Sequence, residues 1–270
     1  INNGLINTFA GNGSNGFAGE NTIAKNAKLY EPIAIVLDSS KNIYISDRLN
    51  NRIRKVTYST GLISTIIGND TLGFNGDGMV ANKTHINLPI GIVIDKMGNI
   101  IFSDSQNHRI RKINTNSGII STIAGNGIQG YNGDGIIATS AQLNAPWGLA
   151  IDDTNNIYIT DYGNSRVRKI SSNNGLISTV AGNGISGFSG DNNLAINANI
   201  KYPRGIALDN FGNIFFIDSY NNRIRKISVN TGIINTIVGT DSVSYNGEGI
   251  LATNANTFFP QSICIDTLNN

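Results

Sequence analysis

Residues 155–170 read NNIYITDYGNSRVRKI, and this stretch decides the fold. It holds a β-branched and aromatic strand at 157–160, a tight polar loop opened by Asp161, and a second strand ending in Arg166, Arg168 and Lys169. The same text returns at 42–56, 99–113 and 213–227, always in steps of 57 residues. A fixed period of this size marks a repeat architecture. The punctuation agrees. All five prolines share one phase (Pro32, Pro89, Pro146, Pro203, Pro260), and Gly4, Gly61, Gly118, Gly175 and Gly232 open five equivalent units.

Each unit reads as four strands. In the second unit they fall at 62–67, 91–95, 99–103 and 109–113, with a long loop running to Pro89 and a tight turn at Lys96-Met97-Gly98. Up-and-down strands repeated in this way predict an all-β fold, a β-propeller of four-stranded antiparallel blades. The slot two residues after each proline is small (Ala34, Gly91, Gly148, Gly205, Ser262), as expected where inner strands crowd. Cys264 shares its phase with Val36, Val93, Ala150 and Ala207 and reads as packing. Strands at 5–10 and 262–266 are left over. The expectation is one propeller domain over 1–270, incomplete at both ends.

The motif Asp-x-x-Asn-x-Arg occurs at Asp47/Asn50/Arg52, Asp104/Asn107/Arg109, Asp161/Asn164/Arg166 and Asp218/Asn221/Arg223. With the NIYI-type strand before it and RIRK or RVRK after it, this resembles the NHL-repeat family. The long loop at 125–152 is similar to those of secreted bacterial NHL proteins and of the teneurin propeller. The resemblance implies a propeller that presents interaction surfaces, with six blades when complete, five being the other count the repeats allow. It also brings two departures to weigh: an amidating lyase that uses a metal site, and tripartite-motif NHL proteins that bind RNA.

The residues oppose both departures. Net charge is +2, too small for a field that gathers nucleic acid. Twelve of the 20 Lys and Arg lie in the RxRK strands, but 14 of the 18 acids lie on the same lattice and balance them. His85 and His108 belong to no cluster, so no metal ligand set forms. The Gly-Asp and Gly-Glu pairs of the long loops, near Phe17, Phe74, Tyr131, Phe188 and Tyr245, resemble calcium loops only superficially, with too few oxygens. The aromatic is expected to plug the loop onto its blade. The reading is no cofactor, no metal, no nucleic acid and no membrane insertion. One cysteine excludes an internal disulfide framework.

Four copies of an Asp/Arg pair are what a structural staple gives, so Asp47–Arg52, Asp104–Arg109, Asp161–Arg166 and Asp218–Arg223 are read as staples. Function is expected where the units differ. After proline stand Ile33, Ile90, Trp147, Arg204 and Gln261; after the loop Asp come Arg48, Tyr162 and, one place further, Tyr220. These share one propeller face, with Trp147 beside Tyr162 and Arg204 as a hot spot, the other reading being that Trp147 only plugs the axis. The expected function is a non-enzymatic interaction or scaffold module of an extracellular or cell-surface protein. Its partner would be a protein, a glycan, or further copies or segments of the same protein. The alternatives are an enzyme of lyase or lactonase type using the axial pocket, and an RNA-binding propeller.

Overall fold

A computed structural model describes residues 4–266, 268 and 269. It is all-β, with short 3₁₀ turns and no α-helix among the described residues. The chain gathers into two compact units, 1–107 with 112–121, and 108–111 with 122–270. The domain expectation over 1–270 includes residues 1–3, 267 and 270, which lie outside the described residues.

In the first unit, strands Pro32–Leu37, Ile43–Asp47, Arg52–Val56 and Leu62–Ile67 pair antiparallel in chain order. The next repeat forms a four-stranded sheet from Pro89–Ile94, Ile100–Asp104, Arg109–Asn114 and Ile119–Ala124. In the second unit the pattern repeats with Pro146–Ile151, Ile157–Asp161, Arg166–Ile170 and Leu176–Ala181, then with Pro203–Leu208, Ile214–Asp218, Arg223–Ile227 and Ile233–Val238. The predicted strand order is therefore present, with the proline strand starting at the proline itself.

Each unit has its own core. Tyr44, Ile53, Ile67, Ile92, Phe102 and Ile120 pack together in the first, and Tyr158, Val167, Ile200, Ile206, Phe216 and Ile234 in the second. The small slot behaves as expected. A Cβ on Gly148 would lie 2.3 Å from the carbonyl oxygen of Arg204, so strands Pro146–Ile151 and Pro203–Leu208 approach backbone to backbone. The Thr160 hydroxyl bridges them, accepting from the Gly148 amide at 2.7 Å and donating to the Arg204 carbonyl at 2.6 Å.

The long loops do more than cover. Thr22–Ile23, Ile136–Ile137 and Asn193–Leu194 each add a fifth strand to the outer strand of their own sheet, at Leu62–Ile67, Leu176–Ala181 and Ile233–Val238. A 3₁₀ turn follows each, with its first alanine buried (Ala24, Ala138, Ala195). The loop thus closes an edge that would otherwise offer free backbone groups to another chain.

Two expectations fail. Residues 5–10 and 262–266 carry no strand. In the sheets, the equivalents of these segments pair with an RxRK strand or an NIYI-type strand. Ile6 and Phe9 are exposed, and Cys264 is exposed rather than packed.

Candidate functional site

The Asp-x-x-Asn-x-Arg motif is a hub in which every polar residue has a task. In the third repeat, Asp161 is fully buried. One oxygen accepts the Asn144 amide at 2.8 Å, holding the segment that enters Pro146. The other accepts from Asn164 at 2.8 Å, and Asn164 also donates to Gly130 of the long loop at 2.6 Å. Asp47 and Asp218 repeat this, accepting the amides of Tyr30 and Lys201 at 2.7 Å.

The predicted staples need correcting. Asp161 and Arg166 are register partners across the strands, but the arginine that meets the carboxylate is Arg168, at 3.6 Å. Likewise Asp47 meets Arg54 at 3.6 Å and Asp218 meets Arg225 at 3.2 Å, not Arg52 and Arg223. Residues two apart in a strand share a face. The first arginine lies at the strand end and turns outward, where Arg52, Arg166 and Arg223 stack on Phe17, Tyr131 and Phe188 at 3.7, 3.8 and 3.7 Å from the ring centroid. Arg109 also turns away from its strand, donating to the Asn126 carbonyl at 3.0 Å. The second arginine is fully buried and reaches back to the Asp. Its far side meets the long-loop acid: Arg168 with Asp134 at 2.8 Å, Arg225 with Asp191 at 2.8 Å, Arg54 with Glu20 at 3.4 Å. The loop aromatics are therefore plugs, as expected, but plugs under arginine.

Burial pushes Asp161 and Asp218 up to about 6 despite their arginines, because desolvation outweighs the hydrogen bonds and the cation.

The repeat-breaking residues of the second unit converge. Strand register shifts just after each proline, between Pro146 and Leu149 and between Pro203 and Ile206, and this bulge aims Trp147 and Arg204. Tyr162 and Tyr220 lie in the 3₁₀ turns that follow the hub aspartates. A continuous string of rings results: Trp147 to Tyr162 at 5.1 Å between centroids, Tyr162 to Tyr202 at 4.8 Å, Tyr202 to Tyr220 at 4.8 Å and Tyr220 to Phe259 at 4.5 Å. The Arg204 guanidinium lies 4.6 Å from the Trp147 ring and 5.5 to 5.8 Å from Phe259, Tyr162 and Tyr220. It donates to the side-chain oxygen of Gln261. Burial, then the Tyr220 hydroxyl, hold the Tyr162 phenol above its ordinary range.

Trp147, Tyr162, Arg204, Tyr220 and Gln261 are thus brought together. In the first unit, Ile90 is buried, Ile33 is half-buried and Arg48 pairs with Glu31 at 2.6 Å. The sequence reading missed Tyr202 and Phe259. Both precede a proline, in phase with Glu31, Leu88 and Ala145, and all five adopt left-handed backbone with φ between 47° and 50°. That is unusual before proline, which disfavours compact backbone. Part of it is held from outside, since the amides of Leu88, Ala145 and Phe259 donate to Asn51, His108 and Asn222 at 2.9, 3.1 and 3.1 Å. The position differs in every unit, but its left-handed backbone, which brings these rings to the others, has no signal in the sequence.

Among the described residues, no group of three or more His, Cys, Asp or Glu is placed to hold a metal ion, and no helix is long and apolar enough to cross a membrane.

Four-stranded antiparallel sheets joined in this order define the β-propeller class. Residues 184–253 match the teneurin NHL domain and residues 143–170 match the NHL repeat. Over 82% of its length the chain is 25% identical to the protein SUPPRESSOR OF QUENCHING 1, chloroplastic, of Arabidopsis thaliana, and over 84% it is 27% identical to mouse (Mus musculus) Teneurin-1. It spans 22% and 9% of those proteins. The fold also resembles a chain of the nidogen/laminin complex, with a TM-score of 0.58 at 17% identity over 88% of this chain and 72% of the other.

Proposed function

We propose that this chain is a non-enzymatic recognition module of an extracellular or cell-surface protein, and that it binds a protein partner through the ring string of its second unit. The observation that carries this is the convergence of Trp147, Tyr162, Tyr202 and Tyr220 around Arg204. Trp, Tyr and Arg are the residues that dominate binding energy at protein interfaces. They sit at positions the repeat lattice leaves free, while the hub residues are occupied with one another. The teneurin NHL match and the likeness to the nidogen/laminin structure support a protein partner. The polar Asn- and Ser-rich loops and the teneurin likeness favour the cell exterior, although a relative 25% identical to this chain is named as chloroplastic.

The test is selection of peptides on the folded protein from a displayed random library, followed by affinity measurement on Trp147→Ala. Loss of a central anchor is expected to weaken selected peptides by about 2 kcal/mol or more, roughly 30-fold, with folding retained. Unchanged affinity together with lowered thermal stability would make Trp147 a packing residue and remove this face from consideration.

A further inference from the structure

Arg204 differs from the hub arginines in what it lacks. Arg54, Arg168 and Arg225 each sit between two carboxylates, and Arg52 and Arg223 each pair with one, Asp70 and Asp241. Arg204 is only 9% exposed, yet among the described residues it meets no carboxylate. Its buried Nε has no hydrogen-bond partner, as is also true of Arg54, Arg168 and Arg225, so the missing carboxylate is what sets it apart. Ring faces surround the charge, each cation–π contact supplying about 0.5 to 2 kcal/mol, but none of them is a charged acceptor. Only neutral acceptors reach it: the Tyr162 phenol oxygen, and the amide oxygen of Gln261, a residue that is itself exposed and lies on a segment without strand structure. The main chain of Gln261 is anchored separately, its carbonyl accepting the Gly205 amide at 3.2 Å, so its side chain can swing without moving the backbone.

We infer that the partner of this face is an acidic peptide segment, whose Asp or Glu carboxylate displaces the Gln261 amide and pairs with Arg204 among the rings. The inference rests on the recognition role proposed above and adds the chemistry of the ligand. A carboxylate supplies what the site is missing: a charge-assisted, two-pronged acceptor matched to the planar guanidinium. The neighbouring rings exclude water from that pair, which strengthens it. Gln261 then acts as a neutral cover that keeps the empty site soluble and is exchanged on binding.

Gln261→Glu tests this, because it supplies the carboxylate from within. Peptides selected on the native protein from a library with amidated C-termini are expected to be enriched in Asp and Glu. The best of them should bind Gln261→Glu about tenfold or more weakly, as expected for losing a charge-assisted bond and adding a like charge. The variant should unfold at a higher temperature, which separates blocked binding from damage. Arg204→Met should abolish the acidic preference; if it fails to fold, Gln261→Glu still decides. Trp147 is the only tryptophan, so its fluorescence reports occupancy directly. Selected peptides without acidic enrichment would overturn the inference and leave protein recognition standing. No selected peptides at all, with Trp147 fluorescence responding instead to glucuronate, would overturn both in favour of an acidic sugar. Equal affinity of Gln261→Glu for acidic peptides would also overturn it.

Discussion

At the scale of residues, two arginines separated by one position have opposite roles. Arg168 stands between Asp161 and Asp134 with no exposed surface, whereas Arg166 lies over Tyr131 and donates to the carbonyls of Asn164 and Asn183. Arg168→Met leaves a buried carboxylate without its cation and should cost about 3–5 kcal/mol in urea unfolding. Arg166→Met, which keeps much of the stacking, should cost about 1 kcal/mol. The reverse order would restore Arg166 as the staple. His108 offers a second check. It stands where other repeats have Asn51 and Asn222, and its Nδ1 accepts the Ala145 amide, a bond that protonation abolishes. Burial, then Arg109 beside it, hold its pKa below the ordinary imidazole range. The unfolded chain therefore takes up the proton first as pH falls, so the stability His108 contributes is present above pH about 6.5 and is lost below it. His108→Asn should keep the bond and remove this loss. A melting temperature that falls equally in both proteins between pH 7 and 5 would show that His108 plays no part.

The elements are joined at close quarters, and the approach at Gly148 tests how they are held. Gly148 has an ordinary backbone angle, so its requirement is one of space alone. Alanine there would put a methyl against the Arg204 carbonyl and force the two inner strands of the second unit apart. Gly148→Ala is expected to destabilise by about 1–3 kcal/mol, the usual range for overpacking, and to shift Trp147 fluorescence, since Arg204 carries the displaced carbonyl. A neutral effect would mean that the strands can separate without penalty. At this scale much was legible in advance. The 57-residue phase located the strands of all four sheets because β-branched runs, the proline and the positive-φ turns repeat together. The strand added by each long loop was not legible. Pairs such as Thr22–Ile23 are too short to show alternation, and they become strands only because an outer strand is there to receive them.

For the molecule as a whole, charge is distributed by the repeat and specificity by its exceptions. The hub aspartates set a pH response opposite in sign to that of His108. Asp161 and Asp218 hold their protons up to about 6 in the fold but release them near 3.8 when unfolded, so the stability they contribute is complete below 3.8 and disappears as pH rises through 6. In a His108→Asn background, the melting temperature relative to an Asp161→Asn/Asp218→Asn derivative should fall between pH 4 and 7; a rise would mean the arginines dominate burial. Of the candidate site, the sequence showed Trp147, Tyr162, Arg204, Tyr220 and Gln261, because each breaks the phase on a loop or bulge. It hid Tyr202 and Phe259. The Phe259 amide is held by Asn222 of another repeat, and nothing about a residue before proline announces a left-handed turn.

Those five left-handed positions before proline also bear on how such a molecule can be altered. Glu31, Leu88, Ala145, Tyr202 and Phe259 range from acidic to aliphatic to aromatic, yet all take the same backbone. With the residue after each proline they form pairs of sites whose chemistry changes from repeat to repeat. The hub that supports them, built on aspartate, asparagine and two arginines, does not read what they carry. Recognition can therefore be rewritten there without renegotiating the framework, in the way variable loops are exchanged on an antibody domain. The array is an evolvable scaffold, and new specificities should be obtainable by changing these positions alone.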